Sequence, residues 1–193
     1  MFAVAMILAP ILLLLSTLAH SFGKGLGEDA TGGGIQVYAM VAFALALVGL
    51  TSLLEPSLSR LSAVLTVTGL LGVAGGVGFG IDSIVFASNP TAAASELEGS
   101  TAAGLALFLP GTVFPLTLIV LGLALAKTGV VPRPAALALA LGGLLFPLSR
   151  IPSIEALAVA SDLLLITGLV PIGLAALSTA RRSESTGVSP AAT

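Results

Sequence analysis

LSAVLTVTGLLGVAGGVGFGIDS occupies residues 61–83 and decides the fold. No charged residue appears before Asp82, and about 20 mostly apolar residues suffice for a helix to cross a hydrocarbon core. The run therefore reads as a membrane span whose last turns carry Gly75, Gly76, Gly78 and Gly80 and then a carboxylate.

The composition agrees. Hydrophobic residues make up 56% and charged residues 8% of the 193-residue chain, against about 25% charged in a soluble domain. Too few charges remain to build a soluble surface, so the chain reads as an integral membrane protein. Cysteine is absent, which removes disulfides, thiol nucleophiles and thiolate metal sites. A net charge of −2 with seven scattered Lys and Arg offers no surface for nucleic acid. Trp is absent and Tyr occurs once, so the usual interfacial aromatic belts are nearly missing.

Hydropathy places six spans, at about 2–20, 35–54, 61–85, 102–126, 134–150 and 154–178. The fold class is an all-α membrane bundle over 1–179, with a polar, small-residue tail over 180–193 expected to be disordered on the cytoplasmic side. The first stretch lacks the basic n-region of a signal peptide and reads as a retained helix. The fifth is short and bounded by Pro134 and Pro152. Loops fall at 21–34, 55–60, 89–100 and 127–134, where Gly, Pro, Asn, Asp and Ser gather. An even number of spans puts both termini on one side. That side holds Arg60, Lys127, Arg133, Arg181 and Arg182, and the other holds Lys24 and Arg150. The excess of positive charge assigns the first side to the cytoplasm of the cell membrane. The outer loops carry Glu28, Asp29, Glu96 and Glu98, acidic residues that contribute little to orientation.

That orientation locates the rare polar groups. His20 ends the first span at the outer face. Asp82 lies roughly 32 Å along the third, near the same face. Arg150 ends the fifth and Glu155 begins the sixth there, with Asp162 about 10 Å deeper. Helix breakers gather in the same half: Pro110, Gly111 and Pro115 in the fourth span, Pro147 in the fifth, and the glycines of the third. The inner halves read as plain Ala, Leu and Val helix. Ionisable groups within a membrane usually face the bundle interior and pair with one another. The expectation is a polar cluster open to the outside, lined by Asp82, Arg150, Glu155, Asp162 and His20, as a candidate site for a small or lipidic ligand. Plainer readings stand beside it. Asp82 can simply meet water at a helix end, Arg150 and Glu155 can form one structural ion pair, and His20 can be an ordinary interfacial histidine. Asp162 is the hardest to dismiss, because an unpaired charge at depth costs about 2–3 kcal/mol on insertion scales. Pairing with Arg150 or protonation would relieve that cost.

Gly72, Gly76 and Gly80 form a GxxxGxxxG face that lets another helix approach closely. It suits packing inside the chain, membrane-protein partners or a second copy. A shift of 73 residues sets Arg60 on Arg133, Gly69 on Gly142, and IDSIVFASN (81–89) on IEALAVASD (154–162), so that Asp82 matches Glu155. This suggests a duplicated helical unit.

Catalytic motifs are missing. GFGID departs from the GxGD spacing of intramembrane aspartyl proteases by the intervening Ile81. The sole histidine, His20, has no GxSxG partner, and neither a Walker loop nor HExxH is present. No catalytic residue, metal ligand or cofactor is assigned. The segment AKTGVVPRPAALALALGGLLF (126–146), with Val131-Pro132-Arg133 and Gly142-Gly143, resembles an uncharacterised family of small bacterial six-helix membrane proteins. Those relatives often carry Trp after the Arg, where this chain has Pro134. The resemblance implies a bacterial origin and a six-helix plan, and no activity. Three roles follow as expectations: a non-enzymatic ligand binder, an accessory subunit of a larger membrane assembly, or a small transporter or channel.

Overall fold

The computed structural model describes residues 1–89, 101, 105 and 109–185, without the side chains of 181–185. Glu96, Glu98, the start of the expected fourth span and the end of the tail lie outside the described residues. Among the described residues six long helices form the bundle: α1 (Phe2–Phe22), α2 (Ala30–Ser52), α3 (Glu55–Ser88), α4 (Leu109–Thr128), α5 (Arg133–Arg150) and α6 (Glu155–Ser185). Five are long and apolar enough to cross a membrane. The exception is α5, whose 18 residues give a rod of about 27 Å.

Local chemistry sets the boundaries. The Asp29 carboxylate caps α2 by accepting from the Gly32 N–H at 2.8 Å. Pro56 opens α3, and Leu58 breaks from helical geometry at φ −139°, so the main body of α3 starts after it. The end of α4 is turned by Gly129 at φ +69°, a conformation open to glycine. Pro132 then leads into α5. The last helix runs on to Ser185, so 180–185, expected to be disordered, is helical. It continues because Ala180, Arg181 and Arg182 are good helix formers and the first breaker beyond them is Gly187.

Each helix packs on its neighbours in sequence, and α1 also packs on α6, closing a ring. Hydroxyls bridge the neighbours: Ser16 Oγ donates to the Gly32 carbonyl (2.7 Å), Ser62 Oγ to that of Thr51 (2.7 Å) and Ser161 Oγ to that of Gly142 (3.0 Å). Such bonds and close packing hold membrane helices together, because lipid chains are as apolar as Leu. At the end of the ring where α2 gives way to α3, Leu47, Leu50, Leu121, Leu125, Leu139 and Leu169 fill the interior. Phe43, Phe114 and Phe146 cross its middle, edge to face at 5.3 and 5.5 Å between centroids.

Three expectations change here. The Gly72/Gly76/Gly80 face is spent inside the chain. A Cβ on Gly72 would lie 2.5 Å from the Phe114 backbone, one on Gly76 2.5 Å from Met40 Sδ, and one on Gly80 2.8 Å from the Gly33 carbonyl oxygen. α2 and α4 already occupy the space a partner helix would need. Glycine is also not confined to one half, since Gly49, Gly122, Gly168 and Gly173 serve helix crossings in the Leu-filled half. Finally, the 73-residue shift does not pair equivalent places: Asp82 lies within the last turns of α3, whereas Glu155 starts a new helix after the turn at Ser153.

Candidate functional site

The other end of the ring encloses a cavity of about 780 Å³. It lies between the last turns of α1, α3 and α5 and the first turns of α2 and α4. Phe114 and Phe146 form its floor, and Met40, Phe79, Leu116 and Ile119 add apolar wall. The polar lining is sparse: Thr17 and His20 from α1, Gln36 from α2, Asp82 and Ser83 from α3, Thr112 from α4, and Arg150 from α5.

The sequence-expected residues divide. Asp82, Arg150 and His20 line the cavity together. Asp162 stands behind them, fully buried, and is the carboxylate that engages Arg150. Glu155 does not join. It is exposed, because the α5–α6 turn places the first turn of α6 at the bundle surface. The alternative Arg150–Glu155 pair is thus replaced by Arg150–Asp162, one turn-pair deeper.

That pair is part of a three-helix knot. Arg150 Nη2 donates to Asp162 Oδ1 at 3.3 Å and to Thr17 Oγ1 at 3.0 Å. Thr17 Oγ1 in turn donates to Asp162 Oδ2 at 2.5 Å. Thr17 thereby ties α1 to both α5 and α6. Sequence reasoning missed it, since a hydroxyl within a helix is commonly satisfied by its own backbone and nothing in the spacing marks this one. The guanidinium also stacks on Phe146, with Cζ 4.0 Å from the ring centroid. All of this fixes one face and one nitrogen of Arg150. Its Nη1 is buried and has no hydrogen-bond partner among the described residues.

His20 is buried against the start of α2, where a Cβ on Gly32 would lie 2.5 Å from the imidazole Cγ. Its Nδ1 likewise lacks a partner among the described residues. Gln36 Nε2 donates to the Gly76 carbonyl at 3.0 Å, which ties the α2 wall to the α3 wall. The arrangement sets a charge-paired arginine, a histidine and a carboxylate around an apolar void. It can grip a molecule with a polar head and an apolar body.

No protein-family model, curated protein or solved structure matches the chain.

Proposed function

We propose that the chain is a non-enzymatic membrane protein of six spans, with both termini cytoplasmic, that holds a small amphipathic ligand in the outward-facing cavity. The observation that carries this reading is the cavity: about 780 Å³, mostly apolar, with Arg150, Asp82 and His20 in its lining. Small-molecule sites commonly have about 300–1,000 Å³ and a few placed polar groups in an apolar wall. The Arg150 guanidinium in the lining favours a head group that supplies an acceptor oxygen, such as a phosphate, carboxylate or carbonyl. The excess of Lys and Arg at the Leu-filled end supports the orientation. With α5 counted as a short span, the ring crosses the bilayer six times. The resemblance around Val131-Pro132-Arg133 supports a bacterial cell membrane as the setting.

Native mass spectrometry on protein extracted gently from its own membrane tests the reading. The expected result is a single chain carrying a defined small-molecule mass, retained by wild type and depleted in Arg150→Lys. That substitution keeps a cation for Asp162 and removes the second guanidine nitrogen. A stoichiometric protein partner with no small molecule would replace this reading with that of an accessory subunit.

A further inference from the structure

Resting on the reading of the cavity as a binding site, we propose that its ligand is a bilayer amphiphile, exchanged sideways with the membrane through a cleft between α4 and α5. The outward face of α4 carries Thr112, Leu116 and Val120, spaced four apart and exposed. Two of these, Thr112 and Leu116, also line the cavity, together with the inward Phe114 and Pro115. The void therefore reaches around the flank of α4 to the surface that meets lipid, where Leu116 is 58% exposed.

The open flank is the one toward α5. On the α3 side, a Cβ on Gly75 would lie 2.8 Å from the Pro110 carbonyl carbon, and Gly72 meets the Phe114 backbone as closely, so the two helices touch along this stretch. On the α5 side the backbones meet at Gly143, where a Cβ would lie 3.0 Å from the Pro115 carbonyl oxygen and 3.1 Å from the Ile119 nitrogen, and the next contact is between rings, Phe146 on Phe114 at 5.5 Å. Beyond Gly143, α5 and its following turn contribute Phe146, Pro147, Arg150 and Ile151, and all four line the cavity. Ile151 is 81% exposed. Pro115 and Pro147 both line the cavity on this side. Each removes a helical N–H and crowds the carbonyl four residues earlier, which bends a helix away from its straight course.

A side opening of this kind is filled by acyl chains, and its rim of Leu116, Ile119, Phe146, Pro147 and Ile151 suits a hydrocarbon tail. The head then lies inward, with an acceptor oxygen for Arg150 on α5 and room for a cationic group toward Asp82 on α3. A phosphate-bearing zwitterion on a single chain fits both.

The test uses the full chain in phosphatidylcholine nanodiscs doped with a lysophosphocholine that carries a diazirine at its tail end. A short-chain, water-soluble phosphocholine serves as competitor. Photolabelling is expected at Leu116, Ile119 and Ile151, several-fold above the exposed α3 residues Leu70 and Leu71, and to be removed by the competitor. Leu116→Trp and, as a second variant with a separate risk of misfolding, Ile151→Trp should each cut that labelling several-fold while the competitor still binds. Even labelling over the lipid faces of all helices, with the competitor still bound, overturns lateral exchange and leaves the cavity reading standing. If neither phosphocholine binds the wild-type chain, this inference falls together with the head-group chemistry proposed for the site.

Discussion

At the end of the ring where α2 hands over to α3, Leu50, Leu121, Leu125 and Leu139 are at most 1% exposed and the helices interlock through Gly122 and Gly168. At the opposite end the same helices enclose about 780 Å³. Both ends use glycine at their crossings, and both contain proline, with Pro10 and Pro171 in α1 and α6 and Pro115 and Pro147 in α4 and α5. The difference lies in what fills the space between the backbones. Leucines close one end. The other is left open above two phenylalanines, Phe114 and Phe146, and beside an arginine whose charge is spent on Asp162 and Thr17 rather than on filling volume. Small residues decide how near helices come, and large ones decide whether anything is left between them.

The largest test of this contrast removes that arginine. Arg150→Ala leaves Asp162 fully buried without its cation, and loss of one partner of a buried pair costs about 3–5 kcal/mol. Thermal unfolding of the detergent-solubilised chain, read as the monodisperse fraction after heating, should show a steep loss, and the double substitution Arg150→Met with Asp162→Leu should recover most of it. If Arg150→Ala is as stable as wild type, the knot does not hold the open end. Next comes a comparison of the two ends. Leu139→Ala, in the filled end, should cost about 2 kcal/mol through cavity formation, the low end of the range because lipid offers Leu an equal refuge. Ile119→Ala, which borders an existing void, should cost well under that in the same assay. Equal losses would show that the two ends are packed alike.

Thr17→Val is smaller still. It removes two interhelical hydrogen bonds, the one Thr17 donates to Asp162 and the one it accepts from Arg150, while Arg150 remains on Asp162, and such bonds average about 0.6 kcal/mol each in membranes. A loss as large as that of Arg150→Ala would make Thr17 the keystone instead. Asp82→Asn should leave unfolding unchanged, because Asp82 is partly exposed at the cavity rim, and should change only the retention of ligand in native mass spectra. A shift in unfolding would instead place Asp82 in the packing.

The helices were legible in the sequence because hydropathy and helix length answer directly to the thickness of a bilayer. Arg150 and Asp162 could be paired from the sequence because a buried charge must find its opposite, and few candidates lay at that depth. Glu155 could not be separated from them, since a single left-handed residue, Ser153 at φ 54°, decides which way the first turn of α6 faces. Gly72, Gly76 and Gly80 announce that some helix comes close but carry no record of whose. Thr17 and the cavity wall were invisible for the same reason: threonine, phenylalanine and methionine are ordinary in any membrane helix, and only the ring brings them together.

The closure of that ring by α1 against α6 sets an order on the making of the protein. Thr17 leaves the ribosome early, yet the carboxylate it serves, 145 residues later, belongs to the last helix. Until α6 arrives, Arg150 lacks Asp162, the carboxylate it pairs with, and α1 has only one flank covered. The chain must hold an unfinished seam open through most of its synthesis, and the bundle becomes a single cooperative body only when the final helix is threaded into it.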